Sequence, residues 1–110
     1  MAKYLVLYRS KVSAAEQMEG ASPGDAQAGM EAWMQWAGKV GDAMVDMGSP
    51  LQSVAVVGGS SEGTHIGGFS ILEAGSADAA KALVEGHPHL MSPGDPSIEV
   101  LEFLPLPGMG

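Results

Sequence analysis

The stretch EGHPHLMSPGDPS, Glu85 to Ser97, sets two histidines around a proline and an aspartate six residues past the second. His87 and His89 lie two apart, so on an extended segment both imidazoles point the same way and could meet one metal. A metal needs at least a third ligand, and only Asp95, Glu99 and His65 could donate. Nothing in their spacing fixes their distance from the pair, so no metal is expected. Helix-ending chemistry explains much of the stretch: Gly86 takes the left-handed terminal position and Pro88 prevents the helix from continuing. A histidine just past a helix C-terminus, such as His87, is favoured by the negative end of the dipole.

That leaves His89. Imidazole suits proton transfer near neutral pH, and a carboxylate partner would orient it. Asp95 lies across a Ser-Pro-Gly turn and can fold back, so His89 and Asp95 are the expected catalytic pair. The competing expectation is that His89 bonds a backbone carbonyl and fixes the loop. Tyr8 and Arg9 end the first strand, and Arg9 is the chain's sole arginine. A guanidinium in a cleft would grip a carboxylate bidentately. Trp33 and Trp36 lie near each other on a helix, Trp36 at the edge of the apolar stripe where it can line a pocket. Tyr8, Arg9 and Trp36 are therefore the expected substrate-binding residues, and the expected ligand is small and anionic. Ser60-Ser61 has no base or helix start to activate it, so nucleophilic catalysis is not expected.

The elements that must position these residues follow from pattern. KYLVLYR, Lys3 to Arg9, reads as a strand, and Ser10 to Gly24 as a polar loop. Ser22-Pro23-Gly24-Asp25 has the cap, the first-turn proline and the acidic residue of a helix start. Met30, Trp33, Met34, Ala37, Val40, Met44 and Met47 recur at three- and four-residue steps, predicting one helix to about Met47 that Gly48 and Pro50 stop. SVAVV, Ser53 to Val57, reads as the second strand, Gly58 to Gly63 as a turn, and HIGGFSILEA as the third strand. The Gly67-Gly68 pair inside that strand marks a bulge or a close approach. Ser76 caps a short helix, Ala77 to Glu85. SIEVLEFLPL is the fourth strand, before a terminal PGMG.

The order β-α-β-β-α-β in 110 residues is a single α+β domain, 1–110, of ferredoxin-like type: a four-stranded antiparallel sheet with two helices on one face. Two helices cover one face only, yet the first strand is apolar on both. A solvated face should alternate cleanly with polar residues, so a homodimer through the open sheet face is expected. The net charge of −8, with Lys3, Arg9, Lys11, Lys39 and Lys81 as the only cations, argues against nucleic acid and anionic membranes. The absence of cysteine removes disulfide and thiolate chemistry. No window approaches the ~18 apolar residues of a membrane span, and a soluble cytoplasmic protein is expected.

KYLVLYR, MEAWMQWAGKV, IGGFSILEAGSADAAKALVEGHPHL and SIEVLEFLPL resemble the opening strand, first helix, third strand with second helix, and closing strand of the YCII-related family of small α/β proteins. The resemblance implies a dimeric α/β barrel with a cleft between helices and sheet. GGSSEGTH stands where DGPF-type members carry their motif, and Met30 to Trp36 lacks the first-helix histidine of some members. Their histidine–aspartate dyad does not carry over; Pro88-His89-Leu90 does match. The expected function is a small-molecule enzyme of proton-transfer type, a lyase, isomerase or dehydrohalogenase, needing no cofactor. The alternative is a non-catalytic dimeric module that binds a ligand or a protein. A third option, haem or oxygen chemistry, follows only from its occurrence in other dimeric α/β barrels.

Overall fold

Alternating apolar residues make the first strand, β1 (Ala2–Ser10), and place Tyr4, Val6, Tyr8 and Ser10 in the interior. The computed structural model describes residues 1–59 and 65–105. After β1 come α1 (Ala14–Gly20), α2 (Pro23–Val40), β2 (Met44–Pro50), β3 (His65–Ala74), α3 (Ala77–Val84) and β4 (Ser97–Glu102). The antiparallel sheet has the order β2-β3-β1-β4. This is the ferredoxin-like α+β arrangement expected, with one short helix added.

The caps are those the sequence predicts: Ser22 Oγ accepts from Asp25 N, and Ser76 Oγ accepts from Ala79 N. Gly86 has φ 76°, the left-handed terminal position foreseen for it. The core joins Val6 and Tyr8 of β1, Leu72 of β3, Trp36 and Val40 of α2, and Val84 of α3. On the other sheet face Leu5, Leu7, Phe69 and Ile71 are half-buried, and Leu101 and Phe103 are exposed.

Three expectations are corrected. The long helix does not reach Met47, because Gly41 stops it with φ 61° and β2 begins at Met44. Met44 and Met47 continue the helical spacing by chance, while Met44 pairs opposite Leu72 in the sheet. The second strand is thus Met44–Pro50 and not Ser53–Val57; pairing ends where Leu51 N donates to Gly67 O. Ser53 to Val57 runs on without strand pairing, with Val54 and Val57 93% and 96% exposed. The stretch read as a loop from Ser10 to Gly24 contains α1, which Ser13 Oγ caps by accepting from Glu16 N. Ser60-Ser61, most of the expected turn, and the terminal residues 106–110 lie outside the described residues.

The glycine pair in β3 does mark a bulge: Tyr8 pairs with Gly68 and Arg9 with Ile66, leaving Gly67 extra. A β-carbon on Gly68 would sit 3.1 Å from Ser49 O, so the close approach is that of the β2 backbone.

Candidate functional site

The residues between α3 and β4 fold back over the end of β1. Ser10 Oγ donates to Pro93 O at 2.8 Å, and Lys11 N donates to Gly94 O at 2.7 Å. Gly94, at φ 87°, lies so close to Ser10 and Val12 that no side chain would fit there. These bonds pin the Pro88–Met91 turn, a single 3₁₀ turn, beside the C-terminal end of β1. An open cleft of about 1730 Å³ lies here between the helices and the sheet, and Tyr8, Trp33, Trp36 and His89 contribute to its wall. Met18, Met30, Met47 and Met91 also line it, giving an apolar and adaptable surface. A smaller groove of about 410 Å³ beside Tyr4, Lys81 and Val100 contains none of the candidate residues.

His89 is buried except for an 8% exposed margin. Its Nε2 lies 2.8 Å from Arg9 O, and a carbonyl can only accept, so Nε2 carries the proton. Ser92 Oγ is 3.4 Å from Nδ1 but gives its own proton to His89 O at 2.5 Å. When the ring is neutral, the Arg9 bond leaves the lone pair on Nδ1. Asp95 is exposed, at φ 55°, with its carboxylate 3.6 Å from Lys11 Nζ. The loop therefore brings His89 to a backbone carbonyl and Asp95 to a lysine, and does not bring the two together.

Tyr8 is enclosed at the floor of the cleft. Ser70 Oγ donates to Met47 O at 2.7 Å, so the Tyr8 hydroxyl donates to Ser70 Oγ at 2.8 Å. Burial pushes this phenol up to about 12, partly offset by the Ser70 bond, so it stays protonated. Trp36 is core and wall at once: its Nε1–H donates to Leu83 O at 2.8 Å, tying α2 to α3. Arg9 is elsewhere. It alternates with Tyr8 along β1, so it lies on the sheet face away from the helices, where Nε donates to Glu99 Oε1 at 2.9 Å. The charged residues along the cleft are instead Glu16, Asp25, Glu85 and Lys39.

His87 was expected only as a helix-end residue. Its ring is wholly buried, with centroids 4.8, 4.4 and 4.2 Å from those of Tyr8, Trp33 and Trp36. Burial, then the neighbouring His89, lowers its pKa to about 4, so the helix dipole does not hold it as a cation. Its Nδ1 accepts from His89 N at 2.9 Å and caps the turn that carries His89. Pro88 at the first position of that turn was the available signal, since a capping residue commonly precedes such a proline. No three His, Asp or Glu side chains among the described residues are grouped to hold a metal.

No family model matches this chain, and no curated protein matches it in sequence. Among solved structures it is similar to 5-chloro-2-hydroxyhydroquinone dehydrochlorinase from Burkholderia phenoliruptrix AC1100, in complex with 2,5-dihydroxybenzoquinone. The TM-score is 0.51 at 17% identity over 96% of each chain, a likeness of fold along nearly the whole length.

Proposed function

We propose that this chain is a YCII-like, homodimeric small-molecule enzyme of proton-transfer type, a lyase, isomerase or dehydrohalogenase, with His89 as its acid–base group. One observation carries the reading: His89 lines an apolar cleft in a tautomer held by the Arg9 carbonyl, with Nδ1 able to take a proton. A carbonyl fixes the ring as an orienting carboxylate would, so Asp95 is not needed for orientation. The dehydrochlorinase likeness in fold and the YCII resemblance in sequence favour the same class of chemistry. With Arg9 held on the far sheet face and three acids against one lysine along the cleft, the ligand is a small, neutral, flat molecule rather than an anion.

The test is proton exchange in D2O, followed by NMR on a panel of neutral hydroxylated six-membered rings. Wild-type protein exchanges a ring or hydroxyl-adjacent proton of at least one member, and His89→Ala slows this about 100-fold. Equal exchange by both proteins would remove His89 from the chemistry. A second reading, a non-catalytic binding module, is favoured by the bond of His89 to backbone. It expects ligand-induced thermal stabilisation with no exchange at all.

A further inference from the structure

We propose that His87 is a positioning residue: enclosed by Tyr8, Trp33 and Trp36, it uses Nδ1 to hold the His89 amide and so fixes the His89 ring at the cleft wall. The inference rests on the reading of His89 as the acid–base group. Its geometry stands without it.

His87 Nδ1 accepts from the His89 amide at 2.9 Å, and an amide can only donate, so Nδ1 is unprotonated. The neutral ring then carries its proton on Nε2, a fully buried atom with no hydrogen-bond partner among the described residues. A residue wanted only to cap the 3₁₀ turn would be serine, aspartate or asparagine. One wanted only to fill the space among three aromatic rings would be phenylalanine or leucine. Either would avoid burying an unpartnered N–H. Imidazole alone does both tasks, since it packs as an aromatic ring and presents an acceptor two atoms from its β-carbon. The partner it holds is the backbone of His89, whose ring is fixed at its far end by Arg9 O.

Two points thus define the His89 ring: its own amide, held by His87, and Nε2, held by β1. The arrangement works only while His87 is neutral, because a proton on Nδ1 would set donor against donor. The groups facing His87 are consistent with that state. They are His89 in its own turn, Tyr8 from β1, and Trp33 and Trp36 from α2. Of these only the histidine and the tyrosine titrate, and Tyr8 is held protonated. None offers a negative charge that would stabilise a His87 cation.

The experiment reads the state of His89 without ligand or turnover, so its outcome is separate from that of the exchange assay. In 15N-labelled wild-type protein at pH 7, a scalar coupling across the hydrogen bond joins the His89 amide nitrogen to His87 Nδ1. The ring nitrogens of His89 report one Nε2–H tautomer. His87→Phe keeps a ring in the cage and removes the acceptor; His89 then becomes a mixture of tautomers, and its amide exchanges at least about tenfold faster. His87→Asn restores an acceptor and returns both readouts towards wild type. The proposal is overturned by the absence of the coupling in wild type, by an unchanged His89 in the phenylalanine variant, or by an asparagine variant as disordered at His89 as the phenylalanine one. If the phenylalanine variant does not fold, the wild-type coupling and the asparagine variant still decide.

Discussion

At the scale of single residues the most consequential feature is a wholly enclosed histidine whose proton has no acceptor among the described residues. His87 must be neutral to stay in the core, so its folded pKa of about 4 lies below the ~6.5 of an unfolded chain. The unfolded state therefore binds the proton first. The contribution of a neutral His87 is complete above pH ~6.5 and is lost as pH falls from there towards 4, by up to roughly 3 kcal/mol. Urea midpoints taken at pH 7 and pH 5 should differ for wild type, and His87→Phe should lose that share of the difference. Gly48 makes a sharper prediction. It sits at φ 86°, and an added β-carbon would fall 1.6 Å from Phe69 O, a backbone atom of the neighbouring strand. Gly48→Ala must push β2 off β3 and should cost about 3 kcal/mol or more in denaturant unfolding. Tyr8, Trp36 and His89 do line the cleft; helical spacing pointed to Trp36 and the match at Pro88-His89-Leu90 to His89, whereas Tyr8 was expected there only as part of the strand end it shares with Arg9. Arg9 was equally conspicuous as the sole arginine, yet one step along a strand sends it to the opposite face.

At the scale of elements, termini were easier to read than extents. The Ser22 and Ser76 caps and the Gly86 stop depend on interactions within four residues, and all are found. Ser22→Ala removes the acceptor for Asp25 N and should lower stability by about 1 kcal/mol, measurable as a small fall in urea midpoint; the effect is modest because the site is exposed. The boundary between α2 and β2 was misread because methionine serves helix and strand alike, and Met44 and Met47 keep helical spacing. Gly41 was the decisive residue, since φ 61° is cheap only for glycine. The valine-rich segment after Pro50 has strand composition without a neighbour to pair with. Composition gives a tendency to extend, whereas a strand also needs a partner edge.

At the scale of the whole molecule the open sheet face asks for a cover. Leu5, Leu7, Phe69, Ile71, Leu101 and Phe103 share it; its two cations are matched, Lys3 opposite Glu73 and Arg9 bound to Glu99, while Asp46 beside Ile71 adds one further acid. With one net negative charge, this face carries little of the chain's net charge of −8, so a second copy meets less repulsion here than that total would suggest. Four strands of 6 to 10 residues, roughly 20 to 34 Å long and ~4.8 Å apart, present a face of roughly 500 Å² before side-chain relief, which brings it towards the ~800 Å² per partner of a standard interface. The proposed homodimer should appear as twice the chain mass in light scattering at micromolar concentration, and Leu7→Lys should shift it to monomer while leaving far-ultraviolet circular dichroism intact. A monomeric wild type would end that proposal. No helix among the described residues is long and apolar enough to cross a membrane. By itself the sequence determined the ferredoxin-like class, the helix caps at Ser22 and Ser76, and the irregularity at Gly67-Gly68. Each of these follows from local chemistry or from the periodicity of one segment. Only the tertiary structure decided that Asp95 turns to Lys11, that Arg9 leaves the cleft, and that His87 is buried among Tyr8, Trp33 and Trp36. These depend on which face a strand presents and how one loop closes over another, and no local pattern encodes either.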